Sequence, residues 1–198
     1  VLWTLKEWGY DYDVIRLDPF KGETQTREFT DLNPSRKVPV LVHGDEVLTE
    51  SLPIMEYLNN LSVKNSLIPR EPKNIFKYRK IIHYGLTEIE PYLWLVEQAN
   101  RLKMIYNWPD GTYEEAIETV KHNIAATWQW MNGTNHIAGE SFSLADIYYY
   151  HLITWSTQHK IDRPSLVTEY LHKLEKRSAF PAAMLPIQQE NQEQRPPG

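Results

Sequence analysis

The chain has no cysteine in its 198 residues, which excludes a disulfide framework and any chemistry built on a protein thiol within them. Only eight residues are glycine, and no Gly-rich loop of the kind that cradles phosphate is present. Basic residues are scattered: 21 Lys and Arg against 26 Asp and Glu leave a net charge of -5. A nucleic-acid surface needs a clustered basic stripe, so that class of partner is not expected. No apolar run approaches the roughly 20 residues that span a bilayer, and no signal-peptide series opens the chain. The seven histidines show neither His-Glu-x-x-His nor another paired spacing, so no metal site is expected. The carboxylates single out no acid and base pair. What is present is a chain that is 41% hydrophobic, enough for one large domain or two small ones. The lack of cysteine fits a cytoplasmic location.

Val1, Leu5 and Trp8, with Leu2 beside them, sit at helical spacing, and Gly9 stands where a left-handed helix end belongs. The chain thus opens inside a helix, and an upstream segment is expected. Alternation over Tyr12–Leu17 predicts a strand. Thr26–Leu32 predicts a short helix stopped at Asn33-Pro34, because the residue before proline avoids the helical region. Val38–Val42 and Glu46–Thr49 flank His43-Gly44-Asp45 as a hairpin. A helix starts on Ser51, with Leu52, Met55 and Leu58 on one face. This order exposes backbone at Val38 and aims a helix N-terminus at the same space, which suits a small peptide-like anion.

Residues 62–73, with Pro69 and Pro72, read as a linker, and everything beyond reads as helix. A long helix is expected from Asn74 to Lys103, bent at Glu90-Pro91 by the missing donor. A second is expected from Tyr113 to Met131, with Ile117, Val120, Ile124, Trp128 and Met131 on one face. A third starts at Ser143-Leu144-Ala145-Asp146, a capping-box pattern with Phe142 and Ile147 placed as a hydrophobic staple. The Pro- and Gln-rich end from Pro186 is expected to be loose.

Taken in order, Asn33-Pro34-Ser35-Arg36-Lys37-Val38-Pro39, Glu50-Ser51, the linker, Phe142-Ser143-Leu144-Ala145-Asp146-Ile147 and the closing Tyr170–Lys173 and Arg177–Phe180 resemble the cytosolic glutathione transferases. The resemblance covers nearly the whole chain. It implies an α/β + all-α architecture: a thioredoxin-like glutathione-binding domain over 1–61 lacking its first strand, a linker over 62–73, and an all-helical domain over 74–198. Arg36 stands where many relatives have glycine, though some theta-like members carry a basic residue there, so the subclass stays open.

The resemblance also implies the site. Val38-Pro39, an edge-strand proline on the residues alone, becomes a cis bond that turns the Val38 backbone toward the cysteinyl part of glutathione. Ser51, otherwise an N-cap, meets the γ-glutamyl carboxylate, and Glu50 the γ-glutamyl ammonium. Lys37, otherwise a surface lysine, approaches the glycyl carboxylate. The electrophile is expected between the domains, against the first long helix of the second, with Tyr78, Ile82, Tyr84 and Glu88 as candidates by position. The tyrosines read as core by themselves.

In the family a Ser, Tyr or Cys just before the first helix activates the thiol. Tyr10 and Tyr12 follow that helix and Thr4 lies within it, so no catalytic residue is assigned and that group is expected upstream of Val1. The implied protein is a cytoplasmic, homodimeric detoxification enzyme that joins glutathione, as co-substrate and without a metal, to a small apolar electrophile. It binds neither nucleic acid nor membrane. Isomerisation and reductive dehalogenation with glutathione are its nearest variants. The alternative is a non-catalytic glutathione-binding or protein-interaction module of the same fold.

Overall fold

The computed structural model describes residues 1–62, 66–131 and 133–185. The chain divides into two compact units, Val1–Ser66 with the stretch from Ser178, and Leu67–Arg177. The expected linker is narrower here, because helix already begins at Pro72, and the stretch from Ser178 groups with the first unit. The Pro-rich end from Pro186 lies outside the described residues.

In the first unit α1 runs over Leu2–Trp8 and buries Trp3, Leu5 and Trp8. Gly9 ends it at φ 70°, and the paired bonds Gly9 N to Lys6 O (3.2 Å) and Tyr10 N to Leu5 O (3.0 Å) close a Schellman motif. The edge of Trp3 meets the Phe180 ring at 4.9 Å. Helix α2, Arg27–Leu32, is capped by Thr26, whose Oγ1 accepts from Phe29 N at 3.3 Å. Strands β1, Val40–His43, and β2, Glu46–Thr49, form an antiparallel hairpin, and α3 covers Ser51–Leu61. The turn is the pair Gly44-Asp45, and φ of +61° at Gly44 suits its first position.

The strand expected over Tyr12–Leu17 does not form: the described sheet has two strands, and these residues are irregular. Alternation is only half of a strand, because its backbone groups also need a partner ladder. Val14 and Ile15 accordingly stay 44% and 86% exposed.

The second unit holds α4, Pro72–Tyr84; a π-helical turn, Gly85–Ile89; α5, Glu90–Asn100; α6, Thr112–Trp130; α7, Leu144–Gln158; and α8, Ser165–Glu175. The irregularity expected at Glu90-Pro91 lies one turn earlier, and Pro91 sits in the first turn of α5, where its missing N–H costs nothing. The widened turn also frees the Glu88 carbonyl for Asn123 Nδ2, 2.5 Å away on α6.

Gly85 is the reason that α4 and α7 approach so closely. A Cβ there would lie 2.7 Å from Tyr148 Cε1 and 3.2 Å from both Leu152 and Tyr149. The rings have little room to yield: the Tyr148 hydroxyl donates to Glu90, and the Tyr149 hydroxyl donates to Ile81 O at 3.0 Å. Gly85→Ala is therefore expected to cost about 1–3 kcal/mol. In urea this appears as a lower midpoint at constant slope; an unchanged midpoint would mean that the rings move aside freely.

Helix α7 starts as the capping pattern predicts. Ser143 N donates to Asp146 Oδ2 at 2.7 Å, and Ser143 Oγ to the same oxygen at 2.9 Å. Phe142, expected as a staple, lies beneath the Arg177 guanidinium at 3.5 Å.

Candidate functional site

The hairpin register pairs Val40 with Thr49, so the chain enters at Val38-Pro39 and leaves at Glu50-Ser51 from the same end. The Val38-Pro39 bond is cis, and Val38 is 52% exposed. Upstream, the buried Asn33 organises the approach. Its Nδ2 donates to Lys37 O at 2.7 Å, while its Oδ1 accepts from Ser35 N (3.0 Å) and Ser35 Oγ (2.8 Å). Lys37 is thereby held by its own carbonyl, with an exposed side chain. Arg36 takes φ 58°, and its guanidinium donates to Gln25 Oε1 at 2.8 Å.

On the other side Glu50, not Ser51, is the N-cap of α3; Ser51 is the first helical residue. Glu50 has φ 68° and ψ 129°, a conformation that residues with a side chain avoid and that clusters at binding sites. The helix closes with Ile54 N to Glu50 O at 3.0 Å. Pro53 brings no N–H, so Ser51 and Leu52 carry the backbone donors that helix geometry leaves open at this end. With the Ser51 hydroxyl they make a positive, donor-rich terminus suited to a carboxylate. The exposed Glu50 side chain supplies a negative charge beside it.

The four electrophile candidates separate. Tyr78 and Ile82 are 2% and 5% exposed and pack in the core of the helical unit, so they face no ligand there. Helical spacing places four residues on one element but does not say which side of it is covered. Tyr84 and Glu88 line an open cavity of about 630 Å³ within that unit. The Tyr84 hydroxyl donates to Asn123 Oδ1 at 3.0 Å, and its ring meets Trp130 edge-on at 4.7 Å. Burial first, and the Glu88 charge second, push the Tyr84 phenol above its ordinary pKa. It stays a hydroxyl at neutral pH.

The family model of the glutathione S-transferase N-terminal domain matches residues 1–60, the span that carries the cis bond, the hairpin and α3. Residues 1–60 belong to the glutathione S-transferase N-terminal domain family. Among curated relatives, "Glutathione S-transferase 1" of Dianthus caryophyllus is 48% identical over 63 residues, covering 32% of this chain and 28% of its own. "Glutathione S-transferase F14" of Arabidopsis thaliana is 30% identical over 158 residues, covering 75% of this chain and 60% of its own. The chain thus spans about a quarter and three fifths of those two relatives. A solved maleylacetoacetate isomerase from Methylobacterium extorquens, with malonate and GSH bound, superposes with a TM-score of 0.76 at 22% identity, covering 92% of this chain and 88% of that one. The first unit is a thioredoxin-like glutathione S-transferase N-terminal domain with a small sheet, and the second is helical.

Two contributors to the site escaped sequence reasoning. Asn33 reads as a helix stop, yet Asn-Pro-Ser is an Asx-turn pattern in which the side chain bonds the backbone two residues on, and that signal was available. The positive φ of Glu50 had none, since glutamate is not a residue that favours this region.

Proposed function

We propose that this chain binds glutathione at the open end of the β1–β2 hairpin and uses its thiolate on an electrophilic carbon. The observation that carries the reading is the meeting of Val38, Glu50 and Ser51 at that one end. The Val38 backbone pairs with the cysteinyl unit as an added strand. The Ser51 hydroxyl and the α3 N-terminus hold the γ-glutamyl carboxylate, Glu50 takes its ammonium, and Lys37 approaches the glycyl carboxylate. In a conjugation the carbon–sulfur bond forms as the leaving group departs with the bonding pair. No residue of the chain is assigned to activating the thiol. A cytoplasmic homodimer acting in detoxification is the further expectation from the family resemblance.

The isomerase that superposes on this chain favours a second reading, in which the thiolate adds to a carbon–carbon double bond, the adduct rotates, and the same thiolate leaves. Two measurements separate these readings. Calorimetry with glutathione is expected to show one saturable site. Turnover of 1-chloro-2,4-dinitrobenzene marks conjugation, and cis–trans isomerisation of a cis-unsaturated keto acid without net loss of thiol marks the second reading. Failure to bind glutathione would reject both, and binding without either turnover would favour the non-catalytic binding module.

A further inference from the structure

Residues 101–111 join the end of α5 at Asn100 to the start of α6 at Thr112, and their aromatic side chains stay in water: Tyr106 is 40% and Trp108 45% exposed. The loop is nonetheless folded. Ile105 N and Tyr106 N donate to Leu102 O at 2.8 and 3.0 Å, and Thr112 N donates to Pro109 O at 3.2 Å. These turns fix the loop beside an open hollow of about 540 Å³ that lies wholly within the helical unit. Three rings, Tyr106, Trp108 and Tyr113, line it together with two carboxylates, Asp110 and Glu114, and a single cation, Lys103. Among the described residues none of the three rings makes a ring contact or a side-chain hydrogen bond, and neither carboxylate makes an ion pair. The loop's other cation, Arg101, is held by Glu97 Oε1 at 3.0 Å. Glu114 has a second use, since an acidic residue in the first turn of α6 complements the helix dipole, but that role needs no aromatic wall.

We propose that this hollow binds a small molecule carrying a quaternary ammonium group, with its N-methyl groups against Tyr106, Trp108 and Tyr113 and its charge offset by Asp110 and Glu114. The chemistry follows from the wall. Aromatic faces are negative and attract cations, Trp most strongly. An ammonium that keeps its N–H groups is strongly hydrated and leaves water only for acceptors at hydrogen-bond distance. A quaternary one has no N–H to satisfy, so ring faces and nearby carboxylates suffice. The volume falls within the range of small-ligand sites, roughly 300–1,000 Å³. The site stands on the helical unit alone and does not require the glutathione reading.

The test titrates the full chain, without glutathione, with choline and with its neutral isostere 3,3-dimethylbutan-1-ol, following the ligand methyl protons by NMR. Choline is expected to bind at least about tenfold more tightly than the alcohol, a difference of about 1.4 kcal/mol, and to weaken as salt rises. Trp108→Ala, at an exposed loop position and so expected to fold, should lose at least about fivefold in choline affinity. Asp110→Asn/Glu114→Gln should narrow the preference over the alcohol. Lys103→Ala should tighten choline binding by up to about fivefold, because the hollow loses its only cation. Glu115→Gln, which removes a charge from the same turn of α6 but not from the hollow, should leave it unchanged. Equal binding of choline and the alcohol, unchanged affinity in Trp108→Ala, or weaker binding in Lys103→Ala overturns the proposal. So does a loss in Glu115→Gln equal to that of the Asp110/Glu114 variant, which would reduce the effect to the charge of the surface as a whole.

Discussion

Asp146→Ala is expected to destabilise the protein by about 3–5 kcal/mol, the cost of opening a buried charged network by removing one partner. The side chain is fully buried and accepts from four donors. Ser143 N and Oγ reach Oδ2, while Ile137 N (3.1 Å) and the Tyr170 hydroxyl (2.6 Å) reach Oδ1. Three pieces of the helical unit, the start of α7, the turn at Ile137 and the middle of α8, are thereby joined at one residue. Alanine leaves those donors buried and unpaired, at about 1–3 kcal/mol for each that finds no water. In the intact protein burial first, then the Asp146 charge and bond, push the Tyr170 phenol well above its ordinary pKa. For a chain of this size the loss corresponds to a fall in Tm of roughly 6–20 °C. Asp146→Asn keeps the shape but presents an N–H₂ to one pair of donors, so it is expected to recover only part. Calorimetry of both variants checks this, and a loss below about 1 kcal/mol for alanine would show that the network is not organised around Asp146.

Ser51→Ala is expected to weaken glutathione binding by about 1–3 kcal/mol, roughly 5- to 150-fold, because a hydrogen bond to a charged carboxylate is lost. Stability should hardly change. Ser51 is the first helical residue and not the cap, it is exposed, and alanine is a good helix former. That separation makes the experiment specific: had Ser51 been the cap, folding would suffer by about 0.5–2 kcal/mol as well. Calorimetry with glutathione gives the affinity and thermal melting without ligand gives the stability. Unchanged affinity would remove Ser51 from the site, and a matching drop in stability would return it to a purely structural role.

What could be read from the chain alone follows the range of the interactions involved. The left-handed helix end at Gly9, the helix stop at Asn33-Pro34, the hairpin around Gly44 and the Ser143–Asp146 pair each depend on residues within a few positions of one another. Local sterics and hydrogen bonding decide these. The hairpin was legible but its register was not: the sequence suggests a three-residue turn, His43-Gly44-Asp45, whereas His43 pairs with Glu46 and leaves Gly44-Asp45 as the turn. Tyr12–Leu17 failed as a strand for the complementary reason: its pattern was right, but among the described residues no strand pairs with it. The electrophile candidates on α4 divided into core and surface because four residues share a helix without sharing a face. Tyr78 and Ile82 lie under α4, whereas Tyr84 and Glu88 open onto a hollow.

The sequence by itself determined that this is an α/β unit followed by helices, with a stretch between Asn33 and Ser51 that resembles the glutathione transferases and no thiol or metal-ligand pattern of its own. Only the tertiary structure decided the strained backbone at Glu50, the π turn at Gly85–Ile89, the four-donor environment of Asp146 and the Lys80 ammonium over the Trp130 ring. Each of the first group is set by contacts along a few residues of chain. Each of the second depends on partners far apart in sequence, such as Asn123 for Glu88 and Tyr170 for Asp146, or on where packing runs out of neighbours.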